Sequence, residues 1–154
     1  MNIEMNVLSE LLVDTFKDIL EIERKSLQTG NFSDVSVTEI HTIEAIGVDN
    51  IKSMSQVASK LHITVGTLTI AINHLVKKSY VERMKTQRDR RVVQVKLTKK
   101  GELAYTNHEK FHLDMVNEII EGLSHEEEGI FIKSLGKLNL FFKERYKLKD
   151  SGGV

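Results

Sequence analysis

The chain contains no cysteine, no proline and no tryptophan. Without cysteine there is no disulfide framework, no thiolate metal site and no cysteine nucleophile, which suits a reducing, cytoplasmic compartment. The absence of proline permits long uninterrupted helices and is unlike a turn-rich all-β chain. No run approaches the ~18 consecutive apolar residues that cross a bilayer, and the N-terminus lacks a basic-then-apolar leader pattern, so no membrane partner is expected. Net charge is also missing: 22 Lys+Arg stand against 22 Asp+Glu in 154 residues. Taken alone, neutrality argues against a polyanionic partner. A hydrophobic fraction of 40% with 29% charged residues is the composition of a folded chain, and its length suits one domain over 1–154.

The charge is unevenly distributed. Residues 1–76 carry a net −5, residues 77–100 a net +8, and residues 101–154 a net −3. The basic stretch holds Lys77, Lys78, Arg83, Lys85, Arg88, Arg90, Arg91, Lys96, Lys99 and Lys100 against only Glu82 and Asp89. Such a concentration is either a solvated charged hairpin or the electrostatic footprint of a polyanion site.

Periodicity predicts a mainly α chain of about six helices with one β-hairpin. Leu8, Leu11, Leu12, Phe16, Ile19, Leu20 and Leu27 recur at helical spacing over roughly 4–28. Ser36 and Glu39 form a capping-box signature for a short helix through Ile40, Ile43 and Ile46 that stops at Gly47. A third helix begins near Ser53, and Thr64 suits the N-cap of a fourth, running to about Lys78. Val93, Val95 and Leu97 alternate with polar residues as a half-buried strand, paired with 80–85 across the polar loop 86–90. Thr98 would cap a long helix to about Glu121. Ser124 and Glu127 would cap a last one, with Phe131, Leu135, Leu138, Phe141 and Phe142 on one face. Residues 149–154 read as a flexible tail.

The third and fourth helices have the logic of a helix-turn-helix. Val57, Ala58 and Leu61 would pack against Leu68, Ile72 and Leu75, leaving Gly66, Ile70, Asn73 and Lys77 outward with Thr67 and Thr69 beside them. A face of small, hydroxylic and amide side chains fits a major groove, where Thr and Asn meet base edges and Ile70 a thymine methyl; an ordinary helical hairpin would simply wet the same face. In the hairpin, arginines on a turn suit the strongly negative minor groove. Asp89 reads either as the partner that orients Arg91 or as a plain turn former.

These stretches resemble a known family. Residues 55–69 (SQVASKLHITVGTLT), 75–83 (LVKKSYVER) and 89–98 (DRRVVQVKLT) are similar to the winged helix-turn-helix of MarR-type bacterial transcription regulators, whose wing pattern is D-x-R-x3-V-x-L-T. Ser79 departs from it, standing where the family usually has glycine. The resemblance implies an intertwined homodimer built by 1–30 and 99–148, around a DNA-binding lobe of 31–98. It also implies a near-palindromic double-stranded operator with half-sites about one helical turn apart. The strongly amphipathic terminal regions agree, since alone they would leave large apolar faces uncovered. The implied DNA surface comprises Ser53, Thr64, Val65, Gly66, Thr67, Thr69, Ile70, Asn73 and Lys77, with Arg88, Asp89, Arg90 and Arg91 from the wing.

Within the family, residues 36–47 (SVTEIHTIEAIG), 65–69 (VGTLT), 98–101 (TKKG) and 108–112 (HEKFH) look most like the fatty-acid-biosynthesis repressors of Gram-positive bacteria. That likeness implies no bound cofactor. It implies instead a long-chain acyl group on acyl carrier protein as corepressor, entering an apolar pocket for which His41, Ile43, Phe111, His112 and Met115 are candidate lining residues.

The histidines admit another reading. His108 and His112 stand at i, i+4, a spacing that can chelate Zn²⁺, and residues 38–47 add His41 and Glu44. Zinc-sensing members of the family use histidines in comparable places with a carboxylate from the first helix, which Glu21 or Glu23 would supply. His108 and His112 also share a stripe with Ala104, Tyr105, Met115 and Ile119, as core or pocket-lining residues would. An enzyme is disfavoured: there is no His-Glu-x-x-His, no Gly-rich phosphate loop and no nucleophile elbow.

Overall fold

The computed structural model describes residues 3–89 and 91–148, so Arg90 and the tail expected at 149–154 lie outside the described residues. Along the chain run α1 (Ile3–Thr29), α2 (Val37–Ile46), β1 (Lys52–Ser53), α3 (Met54–Leu61), α4 (Val65–Lys77), β2 (Val81–Lys85), β3 (Val93–Leu97), α5 (Lys99–Glu121) and α6 (His125–Tyr146). The six helices and the hairpin stand where periodicity places them. Strand β1 was not legible, because two residues are too few to show an alternation. It pairs antiparallel with β3, on the side opposite β2, giving the order β1-β3-β2.

Side-chain caps set the helix starts. Ser36 with Glu39, Ser53 with Gln56 and Ser124 with Glu127 form complete capping boxes for α2, α3 and α6. Thr64 accepts from the Thr67 amide and Thr98 from the Gly101 amide, opening α4 and α5. Each such cap contributes about 1 kcal/mol by satisfying amides that have no partner inside the helix.

The core gathers Ile40, Ile43 and Ile46 of α2, Val57 and Ala58 of α3, Leu68, Ile72 and Leu75 of α4, and Val81, Val95 and Leu97 of the sheet, with Tyr80 at the corner between α4 and β2. Leu27 and Ala104 attach α1 and α5 to it. The corner is bonded from several sides. The Tyr80 hydroxyl donates to Asp34 Oδ1 at 2.6 Å, and its carbonyl accepts from the Thr98 amide at 3.0 Å. Lys100 Nζ lies 4.1 Å from the Tyr80 ring centroid and donates to the Lys78 carbonyl. The bond from Tyr80 is the main reason the Asp34 carboxyl sits below its usual range, while burial, then Asp34, pushes the phenol up.

Outside this core the apolar surface is large. Leu11 and Leu20 of α1, Leu113 and Ile119 of α5, and Ile132 and Phe141 of α6 are all exposed, and no residue of α6 is buried. These are the faces whose amphipathicity the sequence displayed.

Two consequences are measurable. A Cβ on Gly101 would lie 2.2 Å from the Tyr80 carbonyl oxygen, a backbone atom that cannot rotate away. Gly101→Ala should therefore destabilise by about 2–3 kcal/mol, read as a lower urea midpoint; an unchanged midpoint would show that the corner opens freely. Ser79 adopts φ +66°, the left-handed conformation that explains the family's glycine there. Ser79→Gly should stabilise by about 1 kcal/mol, seen as a Tm higher by about 3 °C.

Candidate functional site

The outward face of α4 is set by what its inner face buries. Leu68, Ile72 and Leu75 are fully buried, which turns Gly66, Thr67, Ile70, Asn73 and Lys77 to solvent. Ile70, 60% exposed, is the large aliphatic side chain of this face. The hydroxyls near the start of α4 are held locally. Thr64 Oγ1 donates to Thr67 Oγ1 at 2.9 Å and Thr69 Oγ1 to the Val65 carbonyl at 2.8 Å, so this end is ordered before any partner arrives.

The wing stands beside α4. At its tip Thr86 Oγ1 donates to the Asp89 carbonyl and accepts from the Asp89 amide, closing the turn. Asp89 does reach Arg91, but at the backbone: its Oδ1 accepts from the Arg91 amide at 2.9 Å. The structure shows Asp89 as a turn former; among the described residues no charge-assisted bond joins its carboxylate to the Arg91 guanidinium. Between α4 and the wing runs a groove lined by Ser53, Ser55, Val65, Thr69, Arg83 and Arg91. Ser53, Val65, Thr69 and Arg91 therefore meet around one concave surface, with Arg88 and Asp89 exposed at the wing tip and Thr64 exposed at the start of α4. Arg83 was not singled out from the sequence; only the strand register shows that it belongs here.

A second constellation joins α1, α2 and α5. The buried Glu23 carboxylate receives His41 Nε2 and His108 Nε2, both 2.8 Å from its Oε1, with His112 Nε2 3.6 Å away. His108 and His112 bring their Nε2 atoms to 3.0 Å of each other, and Glu44 Oε1 lies 3.5 Å from the first and 3.8 Å from the second. Burial, then the neighbouring His112, lowers the His108 pKa; burial also raises that of Glu44. Of the two candidate carboxylates on the first helix, Glu23 takes part, whereas Glu21 pairs with Arg24 at 2.7 Å on the exposed side. Two overlapping triads, Glu23 with His41 and His108, and Glu44 with His108 and His112, each bring three ligand atoms close enough for a zinc ion with bonds of about 2.0–2.2 Å. The same atoms also serve one another as hydrogen-bond partners.

Of the expected acyl-pocket residues, His41, Phe111 and His112 gather around His108. A surface hollow of about 370 Å³ is lined by Glu44, Lys60, Tyr105, Glu109, His112, Leu113 and Val116. His112 alone of the five candidates lines it. Ile43 is fully buried in the core, Phe111 stacks on His108 with centroids 5.7 Å apart, and His41 and Met115 are half-buried.

Comparison with known proteins fits this geometry. Residues 35–93, which contain α2, the helix-turn-helix, β2 and the start of β3, match the MarR family. The structure is similar to that of Streptococcus pneumoniae FabT solved in complex with DNA, with 40% identity and a TM-score of 0.87 over 91% of this chain and 98% of that one. A single-residue mutant of Escherichia coli MarR, solved with operator DNA, shares the fold at 22% identity and a TM-score of 0.69, over 90% of this chain and 99% of that one. The Bacillus subtilis transcriptional repressor YetL is 27% identical over 58% of this chain and 54% of its own length. The chain spans between about half and two thirds of the curated relatives it first matches. With nearly the whole of FabT covered at 40% identity and the winged helix in place, the chain belongs to the MarR family of transcription regulators.

Proposed function

We propose that the protein is a cytoplasmic, homodimeric repressor that binds a near-palindromic operator in double-stranded DNA. The observation that carries this reading is the exposed face of α4 lying beside an arginine-bearing wing, within the chain's +8 segment. The likeness to FabT, whose structure was solved on DNA, supports it. The uncovered apolar faces of α1, α5 and α6 support the dimer, because a second copy would bury them. Arg91→Ala should weaken operator binding by about ten- to a hundred-fold while the dimer persists in size-exclusion chromatography. Unchanged affinity and salt dependence would remove the wing from the interface.

The regulated genes are those of fatty-acid synthesis, and the corepressor is a long-chain acyl group on acyl carrier protein. The sequence stretches shared with such repressors and the FabT-like structure support this assignment. Adding long-chain acyl carrier protein should tighten operator binding at least about five-fold, and the unacylated carrier should not. Equal affinity with both would overturn the corepressor.

The histidine cluster favours a second reading, a zinc-responsive repressor of metal-uptake genes in which Zn²⁺ takes the place of the acyl group as effector. Glu23, His41, His108 and His112 would hold it, with Glu44 beside them, and the ion would tie α1 and α5 to the lobe that contains α2. Protein purified without chelator would then contain one zinc per chain, lost in His112→Ala and not in Glu21→Ala. Metal-free protein with unaltered operator affinity upon zinc addition would eliminate this reading.

A further inference from the structure

Arg83 has an exposed guanidinium that donates to Asn73 Oδ1. Strand register explains how the two meet. Arg83 lies opposite Val95 in the β2–β3 ladder, and directly opposed residues project from the same face of a sheet. Val95 is fully buried, so Arg83 lies on the face turned toward the helices, at the point where that face leaves the core and becomes the groove beside α4. Asn73, on the outward face of α4, is within its reach. The recognition helix and the wing are thus bridged by one side-chain bond.

The nature of the partner matters. Among the described residues no carboxylate pairs with Arg83; its acceptor is a neutral amide. The guanidinium keeps its full charge, and most of its five N–H donors remain free for an anion, while the bond to Asn73 limits its rotamers. An arginine constrained in this way is arranged for bidentate contact with a phosphate. On the Asn73 side, one of the two lone pairs of Oδ1 is committed to Arg83, which fixes the orientation of the amide.

We propose that Arg83 is a phosphate ligand of the DNA interface, gripping the backbone where it passes between α4 and the wing, and that Asn73 is the positioning residue that aims it. The inference rests on the DNA-binding reading and assigns the grip to a residue outside the recognition helix and the wing tip. Asn73 then contributes to affinity for all duplexes alike, through Arg83.

A double-mutant cycle tests this on the dimeric full-length chain, with operator and random-sequence duplexes over a series of salt concentrations. Arg83→Ala should weaken both duplexes by the same factor, about ten-fold, and lower the slope of log affinity against log salt by about one. Asn73→Ala should weaken both duplexes by a smaller common factor, and should cost nothing further in the Arg83→Ala background. Arg83→Lys, which keeps the charge and loses the fork, should retain the salt slope and lose part of the affinity. Both residues are exposed, and unchanged melting temperatures will confirm folded variants. The proposal is overturned if Asn73→Ala alters the preference for operator over random DNA with the salt slope intact, or if its cost is undiminished without Arg83. A wild-type protein that binds no duplex would overturn the DNA-binding reading itself, whereas an additive cycle on a binding protein overturns only the Arg83 assignment.

Discussion

The rest of the structure depends on how the chain packs around Tyr80. Its ring closes the core, its hydroxyl is held by Asp34 from the loop before α2, and its carbonyl faces Gly101 closely enough to exclude any side chain there. Four segments meet at this residue: that loop, the end of α4, the start of β2 and the first turn of α5. The recognition helix therefore cannot tilt without carrying the wing, and α5 cannot shift without disturbing both. A buried phenol bonded to a carboxylate is costly to leave half-satisfied, which makes the corner an all-or-none contact.

Two chemically distinct regions hang from that frame. One is the cationic groove between α4 and the wing, open to solvent and ordered by short local bonds such as Thr64 to Thr67 and Asp89 to Arg91. The other is the Glu23 cluster, where the core lobe meets the amphipathic helices. They share no residue. Any influence of the second on the first must pass through helix α2 or α5, both of which are anchored near the corner. A two-state shift of those helices is the physical form such coupling would take.

Much of the fold was legible in the sequence because its signals are local. Capping boxes at Ser36 and Ser124, a 3.6-residue apolar period and the alternation at Val93–Leu97 need only near neighbours; the box that Ser53 forms with Gln56 went unread. The inner face of the helix-turn-helix followed from Leu68, Ile72 and Leu75, and the outer face by subtraction. What escaped was non-local. Strand β1 exists only because β3 accepts it, and Ile43 proved to be core where a pocket lining was expected, because one helical face does not reveal which of its residues is deepest. Arg83 looked like one base among ten; strand register and a helix ten residues upstream decide what it faces. The choice of Glu23 over Glu21 is of the same kind, since two residues along a helix turn a side chain to another face.

The neutrality of the whole chain has a different meaning once its charge is placed in space. The basic stretch forms the end of α4, the wing and the start of α5, while acidic residues dominate the segments on either side of it. With an isoelectric point near 7.0, the molecule at neutral pH is an electric dipole and not a cation. A polyanion exerts little net pull on such a body at a distance, but it does exert a torque. On the DNA-binding reading, such a torque would turn the wing toward a duplex before contact and sort encounters by orientation.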